Sequence, residues 1–209
     1  MKWKKIAYTR PGRIFINGLF KDNPVTCMVL GICSVLAITN RLDNTLAMSA
    51  GVLFVLVATS LLVAWLRALI PARLRILTFM LIIASFTICV DLFLKAFFPL
   101  ISRTLGPYVG LIITNCIILG RAEAFASKNK ARYAFLDALA VGIGYAYVLI
   151  IIALIREILA YGTFFNYPVL PAFFPKMDVL GMAPGAFFVL ALVIWIYRTL
   201  AEKRRQRNS

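Results

Sequence analysis

The chain has 209 residues, 62% of them hydrophobic, with a mean hydropathy of +0.90 and a formal charge of +15. A water-soluble domain of this size would leave much of that apolar surface facing solvent, so the composition points to one membrane domain built from several transmembrane helices. The absence of histidine excludes imidazole haem ligation, a Ser-His-Asp triad and His-based zinc sites. The basic residues flank apolar blocks rather than studding an aromatic soluble surface, which excludes nucleic-acid binding and assigns them to anionic lipid headgroups.

Residues 1–22 carry Lys2, Lys4, Lys5, Arg10, Arg13 and Lys21 around Pro11 and Gly12, with no short apolar core leading to a small-residue cleavage site. They read as a segment on the membrane surface, with Trp3, Ile14, Phe15 and Phe20 dipping into the interface, not as a secretory leader. Hydrophobic spans follow at about 24–40, 45–70, 75–98, 107–126, 134–160 and 180–200. Four of these are long enough to cross a hydrocarbon core of about 30 Å, whereas the first and fourth are short and interrupted by Gly31 and Asn115.

The basic residues orient the spans. Eighteen lysines and arginines lie in the N-terminal segment, the second and fourth connections and the C-terminal tail, against five in the alternate connections. Both termini are therefore expected on the cytoplasmic side. The spans divide into a first repeat, 23–106, and a second, 107–200, followed by a basic cytoplasmic tail, 201–209. Three spans per repeat make the halves opposite in orientation. Short, interrupted spans at matching positions predict two inverted three-helix repeats whose first and fourth helices are discontinuous and meet near the midplane. The expected class is an all-α polytopic membrane protein of six transmembrane helices.

Cys27, Cys33, Cys89 and Cys116 all lie in apolar segments. Any one of them is ordinarily a small hydrophobic residue, and Cys27 and Cys89 carry no further signal. Cys33 and Cys116 differ, because each sits near the middle of its short span in corresponding halves. An antiparallel meeting of those spans would bring both thiols to mid-membrane depth, where a charged site usually marks function. Iron–sulfur clusters and tetrahedral iron take four thiolates, so two cysteines make half a metal site, completed by two from another chain. Inert packing of both is the competing reading.

The other charged features read as structural. Asp91 and Lys95 are four apart and can pair on one helix face. Arg121 and Glu123 in "GRAEAFA" either dock a cytoplasmic partner or anchor the interface. Arg156 and Glu157 in "IREILAYGTFF" read as a snorkelling interfacial pair. Gly142 and Gly144 in "VGIGYAY" form no phosphate loop and instead permit close helix packing.

The stretches "DNPVTCMVLGICSVLAIT", "LRILTFMLIIASF", "GLIITNCIILGRAEAFASKN" and "APGAFFVLALVIW" resemble one family of respiratory membrane subunits over about residues 15–198. Its members are the E-type subunit of the Rnf complex (ferredoxin:NAD oxidoreductase) and the D-type subunit of the sodium-translocating NADH:quinone oxidoreductase. The resemblance implies a homologous, oppositely oriented partner and a [2Fe-2S] cluster between the two, each giving one cysteine from its first helix and one from its fourth. The matching positions are Cys33 in "LGICS" and Cys116 in "TNCIILGRAEA". It also implies that flavins and NADH contact belong to other membrane and cytoplasmic redox subunits. "NGLFKDNP" and "ILGRAEAFASKNK" favour the Rnf type, while "VGLIITNC" leans towards the quinone-reducing type.

The function expected is therefore that of one component of an ion-translocating redox complex in a bacterial or archaeal cytoplasmic membrane. It would relay electrons across the membrane coupled to Na⁺ or H⁺ transport, without catalysing alone. A stand-alone secondary transporter and a structural scaffold are the rival expectations.

Overall fold

The computed structural model describes residues 25–67, 69–161, 163–164, 167–168 and 182–207. The expected interfacial segment 1–22 lies outside them. Helix α1 spans Ile32–Ile38, α2 Leu42–Leu66, α3 Arg75–Phe97, α4 Pro99–Ile113 and α5 Cys116–Arg121. Helix α5 widens into a π-helical turn over Ala122–Ala126, and α6 runs from Ala131 to Tyr161. A two-residue antiparallel hairpin, β1 (Thr163–Phe164) with β2 (Tyr167–Pro168), precedes α7, Ala183–Arg207. The segment expected as a separate basic tail from residue 201 continues α7 as helix to Arg207.

Four stretches are long and apolar enough to cross a membrane: Leu42–Leu66, Arg75–Phe97, Gly106–Ala126 and Ala131–Ala160. A shorter apolar stretch, Pro184–Leu200, lies within α7. Within the expected first span, 24–40, the helix among the described residues is the seven-residue α1, preceded by turns. Val29 (φ 57°) and Gly31 (φ 79°) both take left-handed backbone, which no continuous α-helix accommodates. The fourth span is also broken, at Thr114 and Asn115 between α4 and α5. Both interruptions fall where Gly31 and Asn115 predict them.

Helices α2 and α6 form the central pair and share the most extensive helix packing. Gly142 of α6 lets them approach closely, since a Cβ there would collide with Leu53 of α2. Val52, Val55 and Leu56 of α2 meet Val141, Leu149 and Ile152 of α6 in a core that also takes in Val35, Ile38, Ile112, Ile117 and Ile118. Around this pair α3 packs on α4, and α7 packs on α1. The outer faces of α3 (Leu77, Leu81, Leu92, Phe97) and α7 (Phe188, Leu192, Trp195) remain apolar and exposed, as surfaces that meet lipid or protein rather than water.

Candidate thiolate site between two broken helices

The first break is built on Gly31. Its φ of 79° suits glycine, and a Cβ at this position would come within 2.5 Å of Ile117 Cδ1 and 3.3 Å of Tyr145 Cε2. The chain turns there into α1, whose first turn contains Cys33. Gly31 O accepts from Val35 N at 3.2 Å and from Ser34 Oγ at 2.9 Å, which closes the start of the helix.

The second break is built on Asn115. Its extended backbone (ψ 114°) ends the run of α4, and its Oδ1 accepts from Ile117 N at 3.0 Å, an N-cap that starts α5 at Cys116. Asn115 is completely buried, and its Nδ2 has no hydrogen-bond partner. The capping bond fixes which end of the amide is which, so the unpartnered atom is a donor.

The breaks meet. Gly31 donates its backbone N–H to Cys116 Sγ at 2.9 Å, tying the start of α1 to the start of α5. Tyr145 of α6 lies between them, fully buried, with its hydroxyl 2.6 Å from Ser34 Oγ. Because Ser34 donates to Gly31 O, the tyrosine O–H is left to donate to Ser34. Cys33 is exposed and Cys116 half-buried, so the two thiols open onto the surface of the chain.

Cys33 and Cys116 are soft side chains of the kind that thiolate-bound metal centres use. Among the described residues no three His, Cys, Asp or Glu side chains are grouped to hold a metal ion. Cys27 makes only a long 3.9 Å contact from Thr26 Oγ1, and Cys89 lies on the exposed face of α3. A thiol at each break and a backbone N–H already directed at one of the sulfurs would fit half of a thiolate-ligated cluster.

Buried charged side chains fasten the ends of the broken helices, and here the structure corrects the sequence. Arg121 neither docks outward nor anchors an interface: it is buried, with Nε 2.9 Å from Asp137 Oδ2 and Nη2 on Asp137 Oδ1. Its guanidinium also lies over Phe125, 5.6 Å from the ring centroid. Glu123 pairs with Arg75 at 2.8 Å. Arg156 and Glu157 are not a snorkelling pair either. Arg156 is 1% exposed and donates to Thr39 Oγ1 (2.6 Å), Leu36 O (3.5 Å) and Met182 O (3.4 Å), capping the carbonyl end of α1. Glu157 Oε2 accepts from Leu42 N at 2.9 Å and so caps α2. Asp91 and Lys95 form the expected i,i+4 pair at 2.5 Å. Sequence reasoning missed Asp137 and Tyr145. An acid inside a span is itself a signal, and "FLDALA" carried one, but nothing in "VGIGYAY" singled out its first tyrosine.

The structure defines a helical membrane protein with two broken helices, each bearing a cysteine in the turn that starts after its break. A family described as "Rnf-Nqr subunit, membrane protein" matches residues 12–194. The chain belongs to that family. It is similar to the D-type subunit of the Na(+)-translocating NADH-quinone reductase of Psychromonas ingrahamii, with 41% identity covering 90% of this chain and 91% of the relative. The corresponding protein of Chlamydia pneumoniae is 38% identical (92% and 95% covered), and that of Yersinia enterocolitica 39% (94% and 96%). These relatives favour the quinone-reducing type over the Rnf type that "NGLFKDNP" and "ILGRAEAFASKNK" suggest.

Proposed function

We propose that this chain is the D-type membrane subunit of a sodium-translocating NADH:quinone reductase, with Cys33 and Cys116 as half the ligands of a [2Fe-2S] cluster shared with a homologous, inverted partner. The observation that carries the reading is the Gly31 N–H to Cys116 Sγ bond, which joins the two thiol-bearing breaks at one surface. The cluster, when bound, supplies one-electron storage at that surface. The chain's own residues bind and orient: Cys33 and Cys116 offer thiolates, the Gly31 N–H offsets negative charge on sulfur, and Asn115 Nδ2 is a donor still in need of an acceptor. Coupling to Na⁺ movement rests on the relatives' names and on the strong response of a low-dielectric site to a change of charge.

The six-span inverted repeat is part of this proposal, and two observations support it. Exchanging the halves exchanges the α3–α4 contact for the α7–α1 contact and leaves the α2–α6 pair in place. The arginines at the ends of that pair act alike: Arg67, after α2, donates to Lys128 O beyond the fourth span, and Arg156, near the end of α6, donates to Leu36 O at the end of the first. The distribution of lysine and arginine supports a cytoplasmic location for both termini.

Co-purification tests the proposal. The chain isolated with its membrane neighbours is expected to carry iron and visible absorbance, and the chain alone to carry neither. An iron-free assembly that moves a solute would instead establish a secondary transporter.

A further inference from the structure

Helix α6 bears neither cysteine, yet it holds both broken helices. Asp137 grips Arg121 at the end of α5, and Arg156 grips Leu36 O and Thr39 at the end of α1. Tyr145 lies between these two ties, about 12 Å along the helix from Asp137 and about 16 Å from Arg156 at 1.5 Å per residue. Its hydroxyl meets Ser34, Ser34 meets Gly31 O, and the N–H of Gly31 meets Cys116 Sγ. These ties fix where the half-helices end, and the tyrosine reaches the place where they begin.

We infer that Tyr145 is a positioning residue for the thiolate site: through Ser34 it holds Gly31 in the orientation that aims its N–H at Cys116, and so sets the two breaks in register. This rests on the reading of Cys33 and Cys116 as cluster ligands. A ring that merely filled space would need no hydroxyl, and a buried phenol is costly unless its O–H is satisfied. Here the hydroxyl is spent on the one side chain that also bonds the backbone of the break.

A positioning role leaves a signature that packing alone would not produce. Hydrogen bonds to a ligating sulfur stabilise the reduced, more negative centre, so a loosened Gly31 N–H lowers the reduction potential. The test is Tyr145→Phe and Ser34→Ala, singly and together, in the assembled complex, with iron content, the iron–sulfur electron paramagnetic resonance spectrum and the midpoint potential measured. Expected are full iron content, a more negative midpoint and an altered spectrum in each single variant, with no further shift in the double. An unchanged midpoint and spectrum in an iron-replete Tyr145→Phe complex would overturn the inference, as would independent, additive shifts from the two substitutions. If Tyr145→Phe fails to assemble, Ser34→Ala cuts the strut at both its Tyr145 and its Gly31 bond, and an unchanged midpoint and spectrum in that iron-replete variant would overturn the inference. Iron retained in Cys116→Ser is a different failure: it removes the ligand reading and leaves the hydrogen-bonded strut without a site to serve.

Discussion

Gly31 and Cys116, 85 positions apart in the chain, share a hydrogen bond in which the glycine N–H donates to sulfur at 2.9 Å. That contact makes one surface of two helix breaks that would otherwise be separate irregularities in apolar segments. Its geometry depends on a left-handed glycine, because only there does the backbone turn its N–H towards the other half without a side chain in the way.

Gly31→Ala is therefore expected to destabilise the chain by about 2–4 kcal/mol, combining a strained φ with a methyl group driven against Ile117. Gly110→Ala is the control, since a Cβ at Gly110 meets nothing within 4 Å. Thermal unfolding of the two variants in the same detergent should separate them clearly, and equal midpoints would contradict the role given to Gly31.

The ion pairs offer a graded comparison. Asp137→Ala leaves the buried Arg121 guanidinium without its carboxylate and is expected to cost about 3–5 kcal/mol. Glu123→Ala breaks a pair whose side chains are 31% and 42% exposed, and solvent screening should hold the loss to about 1 kcal/mol or less. A double-mutant cycle on Arg121 and Asp137 is expected to show strong coupling, with the double variant less damaged than the sum of the singles.

Asn115 has two separable tasks. Asn115→Ala removes the cap of α5 and is expected to cost about 1 kcal/mol of stability. Asn115→Asp keeps an oxygen for Ile117 N but replaces the Nδ2 donor with an acceptor. Native-like assembly with reduced iron content is the expected outcome for the aspartate variant. Full iron occupancy would show that the amide donor does not face the centre.

Glu157→Gln keeps an acceptor for Leu42 N and is expected to hold the first turn of α2 in place, whereas Glu157→Ala leaves a buried N–H unsatisfied at the start of α2, at a cost of about 1–3 kcal/mol. Hydrogen exchange at the first turn of α2 checks this directly, with faster exchange expected only in the alanine variant.

The broken spans were legible because length and backbone chemistry leave few alternatives. A short apolar run containing Gly31, and another containing Asn115, cannot each be a plain lipid-facing helix. The placement of Cys33 and Cys116 next to the two breaks was legible from their equivalent places in the two halves. What the residues did not disclose is which face of a uniformly apolar helix points inward. Helices α2 and α6 are hydrophobic all round, so no periodicity marked Tyr145 as central or Arg156 as buried. Arg156 looked like an interfacial residue because it lies near the end of a span, and its burial comes from the short α1, whose carbonyl end stops inside the protein and needs a donor. The preference for the Rnf type rested on short stretches, and relatives matched over nearly the whole chain point to the quinone-reducing type instead.

The central claim is that Cys33 and Cys116 act together as half of a shared iron site. The most direct measurement is the iron content and electron paramagnetic resonance signal of the assembled complex carrying Cys33→Ser, Cys116→Ser or Cys89→Ser. Loss of the same signal in the first two variants, with Cys89→Ser like the native complex, is the predicted result. Full iron and an unchanged signal in either Cys33→Ser or Cys116→Ser would contradict it.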